Sequence, residues 1–163
     1  MTCLVSETWK NGKRKIVPYL DMLKVLKEVS EYQNHKIIIG TDSVKSNQSF
    51  IFTSTICILN EYEYHDRTYF YNRKKIKDDL YYMLAKRLLK ETYDSIEIAN
   101  FLRAALESPN LEIHIDVNTD PKHKSSKFKN TLMGYVSGCG FDCRVKPESF
   151  VASSIADNHT RRP

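Results

Sequence analysis

Three consecutive isoleucines followed by a Gly-Thr-Asp-Ser turn-like segment constrain this chain more than any other feature. Residues 35–43 read His-Lys-Ile-Ile-Ile-Gly-Thr-Asp-Ser. The uninterrupted apolar run predicts a fully buried β-strand, and Asp42 follows it closely. A carboxylate at the end of a buried strand loses its hydration unless a cation or hydrogen bonds compensate it. Asp42 is therefore either a turn residue or one ligand of a metal site.

The length and composition are those of one soluble globular domain. The chain has 163 residues, of which 41% are hydrophobic and 28% are charged. This length is sufficient to bury a hydrophobic core of ordinary size. We therefore expect a single domain over residues 1–163, in which residues 1–16 form an N-terminal extension.

The cysteines and the apolar runs indicate the compartment. No apolar run approaches the roughly 18 residues that span a bilayer, and the N-terminus lacks the layout of a signal peptide. The four cysteines are Cys3, Cys57, Cys139 and Cys143, and they form neither a Cys-x-x-Cys pair nor a zinc-binding pattern. These features predict free thiols in a cytoplasmic protein that does not bind membranes.

The net charge of +5 is unevenly distributed. Residues 1–120 contain 17 basic and 17 acidic side chains, whereas residues 121–163 contain eight basic and three acidic ones. The whole excess of positive charge thus lies in the last quarter of the chain. Such a region is typical of a protein that binds polyanions, and it is equally typical of solvated loops and tails.

Hydrophobic periodicity predicts the order of the elements. A helix over 17–31 precedes three strands, at about 36–43, 50–59 and 64–71, which short connections join into an antiparallel meander. The elements predicted after the meander are a helix at about 76–106, a strand at 111–117, a basic loop at 121–131 leading into a helix that ends at Gly138, a strand at 141–146 and a helix at 147–158. A strand, a long helix and another strand imply a right-handed parallel crossover. We therefore predict an α/β fold with a five-stranded mixed sheet in the order β-β-β-α-β-α-β-α, with helices on both faces and an extra N-terminal helix.

A second aspartate repeats the position of Asp42. Asp116 ends a strand in which Leu111, Ile113 and Ile115 share one face. The carboxyl ends of neighbouring parallel strands lie at one edge of a sheet, where α/β proteins place their sites. Two carboxylates at that edge repel each other unless they share a divalent cation. Each aspartate alone is more often a cap or turn residue, but the two equivalent positions favour a metal site.

Two further carboxylates lie on predicted helices. Glu91 belongs to a largely apolar stripe with a helical period, formed with Leu84, Leu88, Ser95, Ile98 and Leu102. This position predicts that Glu91 faces the sheet, whereas Glu97 lies off the stripe and is expected to be solvated. Asp157, on the last helix, either enters the same cluster or remains a surface residue.

Four sequence blocks carry a resemblance to a known family. They are Ile-Gly-Thr-Asp-Ser at 39–43, Lys-Glu-Thr at 90–92, His-Ile-Asp-Val-Asn at 114–118, and Lys-Pro-Glu-Ser-Phe-Val-Ala-Ser-Ser-Ile-Ala-Asp at 146–157. From about residue 17 onward the chain resembles the YkuK-type family of ribonuclease H-like proteins. The resemblance implies the ribonuclease H-like fold and, by analogy with that fold, a nuclease.

The resemblance also implies a metal-dependent site. Asp42, Glu91, Asp116 and Asp157 would hold two Mg²⁺ or Mn²⁺ ions about 4 Å apart, which would support hydrolysis of a phosphodiester bond. The expected substrates are RNA, an RNA/DNA hybrid or structured DNA.

Basic and aromatic side chains are candidates for binding the nucleic acid. The residues expected to contact the phosphate backbone are Lys122, Lys124, Lys127 and Lys129. Two histidines, His123 and His159, are candidates for proton transfer, although both are more often plain surface residues. Stacking on bases is a possible use of Tyr62, Tyr64, Tyr69 and Tyr71, for which cross-strand packing is the commoner use.

Two alternatives compete with a nuclease. The first is a non-catalytic nucleic-acid-binding domain that keeps the same fold and the basic loop. The second is an actin-like ATPase, which also places an aspartate early on its first strand. An ATPase of that kind requires glycine-rich phosphate loops, and residues 41–45 supply none in a chain that has five glycines in all.

Overall fold

A seven-stranded mixed sheet forms the centre of the computed structural model, which describes residues 6–60, 67–156 and 158–159. The strands are β1 (Trp9–Asn11), β2 (Ile16–Val17), β3 (His35–Ser46), β4 (Ser49–Asn60), β5 (Arg67–Ile76), β6 (Leu111–His114) and β7 (Asp142–Arg144). Their order across the sheet is β2-β1-β5-β4-β3-β6-β7, in which only the β3–β6 and β6–β7 pairs are parallel. The α/β class and the mixed sheet are confirmed, but the predicted number of five strands is wrong.

The two additional strands lie in or next to residues 1–16, which were predicted to form an N-terminal extension. β1 and β2 form a short antiparallel hairpin, and β1 pairs with β5 through Lys10 and Tyr71. The Trp9 side chain is completely buried in the core, which anchors the hairpin. Strands of two or three residues are too short to display an alternating pattern, so periodicity did not reveal them.

The hairpin of β3 and β4 is longer than predicted and changes the position of Asp42. Twelve residue pairs join the two strands, and the turn lies at Asn47, whose φ is 55°. Because the turn comes this late, β3 continues to Ser46 and Asp42 pairs with Thr53 in the interior of the hairpin. Asp42 is thus not at the end of its own strand.

The helices are α1 (Tyr19–Ser30), α2 (Leu84–Ala105), α3 (Lys129–Gly138) and a short π-helical segment, Val151–Ala156. α2 begins later than the periodicity predicted, because β5 extends to Ile76 and a 3₁₀ turn occupies Asp79–Tyr82. The Asp78 carboxylate accepts a hydrogen bond of 2.9 Å from the Leu80 backbone N–H and so caps this turn.

The two faces of the sheet carry different layers. Side chains from α1, α2 and α3 share one large core with Ile37 and Ile39 of β3. On the opposite face, Ile38 packs with Cys57 and with Val151 of the π-helical segment. Helices therefore cover both faces, as predicted. The close approach on this second face requires Gly40, where an added Cβ would lie 2.8 Å from the backbone nitrogen of Ala152.

Three of the four cysteines lie within the described residues. Cys57, Cys139 and Cys143 are free thiols, whereas Cys3 lies outside the described residues. No helix in this part of the chain is both long enough and apolar enough to cross a membrane.

Candidate functional site

Asp42 and Asp116 occupy equivalent positions on two parallel strands. The last register pair of β3 and β6 is Gly40 with His114, and each aspartate lies two residues further along its chain. β6 ends at His114 while β3 continues, so both carboxylates stand where β3 loses its parallel neighbour. Asp42 is buried, and Asp116 is half-buried.

Hydroxyl side chains fix α2 against β3 beside these aspartates. Ser95 on α2 donates a hydrogen bond of 3.0 Å to Thr41 Oγ1, and the Thr41 and Ser54 hydroxyls lie 2.9 Å apart. One helical turn before Ser95, the Glu91 carboxylate accepts a hydrogen bond of 2.5 Å from the Ser43 hydroxyl. Thr41 and Ser43 are on the same face of β3, since successive side chains of a strand alternate. The buried stripe of α2 is thereby held so that Glu91 reaches the edge where the aspartates stand.

Three carboxylates line one cavity of about 380 Å³. They are Asp42, Glu91 and Asp116, which come from β3, α2 and the segment after β6. Basic side chains line the same cavity, namely Arg87, His123, Lys124 and Lys146. The cavity lining therefore combines three carboxylates with these basic side chains, which we call the basic wall.

The proximity of the carboxylates affects the pKa of Glu91. Burial raises the pKa of Glu91 well above its ordinary value, and the negative charge of Asp42 raises it further. The hydrogen bond from Ser43 lowers this pKa, Asp116 raises it, and Arg87 lowers it. The protein thus holds an extra negative charge here only at a cost in free energy.

Lys146 is the cation closest to Asp116. Its Nζ lies 2.6 Å from Asp116 Oδ1, and 38% of the Lys146 side chain is exposed. The same Oδ1 atom is buried and lacks a partner with hydrogen-bond geometry among the described residues. The contact is therefore an ion pair without an aligned hydrogen bond, and it leaves a lone pair of Asp116 unsatisfied.

These observations bear on whether a metal suits the site. An all-oxygen set of carboxylates is the donor set that Mg²⁺ and Mn²⁺ prefer, and Asp116, whose buried Oδ1 lacks a hydrogen-bond partner, lines the cavity. In the arrangement described, no three His, Cys, Asp or Glu side chains within residues 6–60, 67–156 and 158–159 are gathered closely enough to hold an ion. The chemistry of the residues fits a divalent cation, but the described arrangement, in which Lys146 pairs with Asp116, does not gather them around one position.

The basic loop after β6 reaches the cavity with only some of its side chains. Asn118 and Asp120 shape the loop, because their side-chain oxygens accept hydrogen bonds from the Asp120 and Lys122 backbone N–H groups. His123 and Lys124 line the cavity. The lysines that are not among its lining residues are Lys122, Lys127 and Lys129. The Lys127 ammonium lies over the ring of its neighbour Phe128 instead.

The other candidates lie away from the cavity or outside the described residues. The His159 ring stacks on Tyr71 with centroids 3.8 Å apart, and its Nε2 lies 3.0 Å from the Tyr69 hydroxyl. His159 is therefore packed against β5 and is not among the residues that line the cavity. Tyr71 is buried, so its ring supports packing within the protein. The remaining predicted residues, Asp157, Tyr62 and Tyr64, lie outside the described residues.

Glu97 takes the position expected from the α2 stripe. It lies off the buried face and accepts a hydrogen bond of 2.8 Å from the Tyr93 hydroxyl on the preceding turn. Lys90 pairs with Asp94 one turn further along the helix. Glu91 is thus the α2 glutamate that reaches the cavity.

Three residues of this site were not among those predicted from the sequence. Ser43 orients Glu91, Arg87 lies one helical turn before Glu91, and Lys146 pairs with Asp116. The spacing of four residues between Arg87 and Glu91 was a usable signal, because such pairs face each other on a helix. Nothing in the local sequence marks Lys146 as a partner of Asp116, since their contact depends on the pairing of two distant segments.

Comparison with known families decides how this geometry is classified. The family described as ribonuclease H-like matches residues 20–161, which include all four predicted carboxylates. The chain belongs to the ribonuclease H-like family. Its YkuK-type membership agrees with the four sequence blocks quoted above. No curated protein and no solved structure gives a significant match.

Proposed function

We propose that this ribonuclease H-like protein is a metal-dependent nuclease that hydrolyses phosphodiester bonds in RNA, an RNA/DNA hybrid or structured DNA. The observation that carries the proposal is the convergence of Asp42, Glu91 and Asp116 on one cavity beside a basic wall. Membership of a family whose fold is generally associated with nucleic acids supports the same conclusion.

The proposed roles follow from the positions of the side chains. Asp42, Glu91 and Asp116 would hold one or two Mg²⁺ or Mn²⁺ ions, with Asp157 as a candidate fourth ligand. When bound, such ions supply Lewis-acid activation of water and of the scissile phosphate.

The basic wall performs the complementary part. Arg87 and Lys124 carry positive charge on the wall of the same cavity, where they would bind and orient the phosphate backbone. His123 lines this cavity as well and would supply a proton to the leaving oxygen. Lys122, Lys127 and Lys129 would then contact phosphates further along the strand.

Calorimetry with Mn²⁺ tests the metal site. We expect the wild-type protein to bind Mn²⁺ and Asp42→Asn to lose that binding, because the substitution removes a buried anionic ligand. Asp142→Asn is the matched control, since Asp142 is exposed on β7 and does not line the cavity. Loss of binding in both variants, or in neither, would contradict the proposed site.

Cleavage assays test the reaction. The wild-type protein with Mn²⁺ should cut at least one member of a panel of RNA, hybrid and branched DNA, and Asp116→Asn should be inactive on it. Activity that persists in Asp116→Asn would show that another protein or another site cleaves the substrate.

A non-catalytic nucleic-acid-binding domain is the second candidate function. The observation that favours it is the ion pair of 2.6 Å through which Lys146 neutralises Asp116. Fluorescence anisotropy distinguishes the two, because this alternative predicts nucleic-acid binding that is the same with Mn²⁺ and with EDTA, and no cleavage.

A further inference from the structure

Lys146 is held opposite Asp116 by the backbone and not only by its flexible side chain. The Ile115 N–H donates a hydrogen bond of 2.9 Å to the Arg144 carbonyl, and the Lys146 N–H donates one of 3.0 Å to the Val117 carbonyl. These two bonds continue the pairing of the segments beyond β6 and β7, and they flank Asp116 on both sides. This backbone pairing therefore positions the Lys146 side chain next to the Asp116 carboxylate.

The surroundings of Asp116 make this cation interchangeable with a metal. Asp116 Oδ1 is buried, and its contact with Lys146 lacks hydrogen-bond geometry, so the ion pair leaves a good oxygen ligand unsatisfied. The Lys146 side chain is more than one third exposed, which leaves it room to move. An ion pair of this kind is weak compared with the binding of a divalent cation by several carboxylates.

We infer that Lys146 is an exchangeable cation that neutralises Asp116 in the absence of metal and binds a substrate phosphate once metal takes Asp116. The inference rests on the proposed function and adds a specific role to it. Lys146 lines the same cavity as Arg87 and Lys124, so an ammonium released from Asp116 remains in the basic wall. Metal and nucleic acid would each strengthen the binding of the other, because each stabilises the arrangement in which Lys146 has left Asp116.

Opposite changes in two affinities are the signature of this role. Lys146→Met removes the competitor for Asp116, so it should bind Mn²⁺ about three- to tenfold more tightly in calorimetry, the range expected for an ion pair of up to about 1.4 kcal/mol. In the presence of Mn²⁺ the same variant should bind a short fluorescein-labelled RNA about three- to tenfold more weakly, because a phosphate contact is lost. Lys146→Arg should stay close to the wild type in Mn²⁺ affinity.

Lys124→Met is the control for net charge. It removes one positive charge from the same cavity, but within the described residues Asp116 pairs with Lys146 and not with Lys124. It should weaken RNA binding while changing Mn²⁺ affinity less than twofold. Equal gains in Mn²⁺ affinity for Lys124→Met and Lys146→Met would overturn the inference, since charge alone would then explain both.

The remaining outcomes separate this inference from the proposed function. If the wild type binds Mn²⁺ and Lys146→Met binds it no more tightly, the exchange is wrong while the metal site stands. If neither protein binds Mn²⁺, both are wrong. If only Lys146→Met binds Mn²⁺, Lys146 excludes the metal instead of exchanging with it, so the exchange is wrong and the wild type behaves as the non-catalytic alternative. Thermal unfolding of each variant verifies that it is folded, and Lys146→Gln replaces Lys146→Met if the latter is not.

Discussion

The Ser43 hydroxyl donates a hydrogen bond of 2.5 Å to the Glu91 carboxylate, and this bond links β3 to α2 one residue from Asp42. It places a third carboxylate beside Asp42 and Asp116, although burial and both negative charges oppose its ionisation. A protein that keeps such a group at a cost in stability is expected to use it for function.

Glu91→Gln should stabilise the metal-free protein at neutral pH. Because the folded-state pKa of Glu91 is raised, its stabilising contribution is complete below the ordinary value of 4.5 and is lost as the pH rises through the raised pKa. The amide never ionises, so the variant avoids this loss. We expect a gain of about 1 kcal/mol or more at neutral pH, or roughly 2–4 °C in Tm per kcal/mol, and no gain below pH 4.5.

Ser43→Ala is the companion to that experiment. It removes the donor to the Glu91 carboxylate and should destabilise the protein at neutral pH by about 1 kcal/mol. Thermal unfolding followed by circular dichroism measures both variants. If Glu91→Gln were less stable than the wild type at neutral pH, the buried Glu91 carboxylate would not lower the free energy of unfolding, and this account of Glu91 would be wrong.

Glu112→Gln should show the opposite dependence on pH. The hydrogen bond from His114, together with Lys36, lowers the pKa of Glu112 to about 2. Its stabilising contribution is therefore present above the ordinary value of 4.5 and is lost as the pH falls towards 2. Since water screens the partly exposed Lys36, we expect a loss of about 1–2 kcal/mol at neutral pH. Urea unfolding at several pH values should show this loss shrinking with acidification.

Glu148→Gln controls for a general effect of charge removal. Its side chain is 66% exposed, so the free energy of unfolding should change by less than about 0.5 kcal/mol. A loss in Glu112→Gln that stays constant down to pH 2 would contradict the account of the Glu112 pKa.

Gly40→Ala should displace the π-helical segment from the sheet. The added Cβ would lie 2.8 Å from the Ala152 backbone nitrogen, which cannot move away as a flexible side chain can. We expect a loss of about 1–3 kcal/mol and faster cleavage of the C-terminal segment by chymotrypsin, which cuts after Phe150. Gly134→Ala is the matched control, because a Cβ there meets nothing within 4 Å and an alanine favours helix α3. Equal stability losses in the two variants would refute the close contact.

Lys124→Ala and Lys127→Ala should differ in their effect on nucleic-acid binding. Lys124 lines the carboxylate cavity, whereas Lys127 packs over Phe128. Lys124→Ala should weaken binding about three- to tenfold and reduce the slope of log K against log salt by about 1. Anisotropy titrations at several salt concentrations measure this, and a larger effect of Lys127→Ala would show that the strand follows a different path.

Much of the fold was predictable because its strands are long and apolar. The isoleucines of β3 and the run of β4 have no alternative to a buried sheet, and the parallel β3–β6 pair follows from the crossover through α2. The β1–β2 hairpin was missed because its turn, which contains Asn11 and Gly12, connects strands too short to show a period.

The three carboxylates and the loop residues His123 and Lys124 could be selected from the sequence, whereas Lys146 could not. Asp42 and Asp116 were selected because they follow apolar runs, and Glu91 because it lies in a helical stripe, although β3 continues past Asp42. Lys146 reaches Asp116 through backbone pairing between segments about 30 residues apart, and no local pattern encodes that contact. His159 was chosen for its chemistry, yet stacking on Tyr71 determines where it lies.

The most direct test of the central claim is the anomalous scattering of crystals soaked in Mn²⁺. We predict a peak at about 2.0–2.5 Å from carboxylate oxygens of both Asp42 and Asp116, with Glu91 beside it and Lys146 moved away from Asp116. A map without a peak in this cavity, in which Lys146 still contacts Asp116, would contradict the metal site.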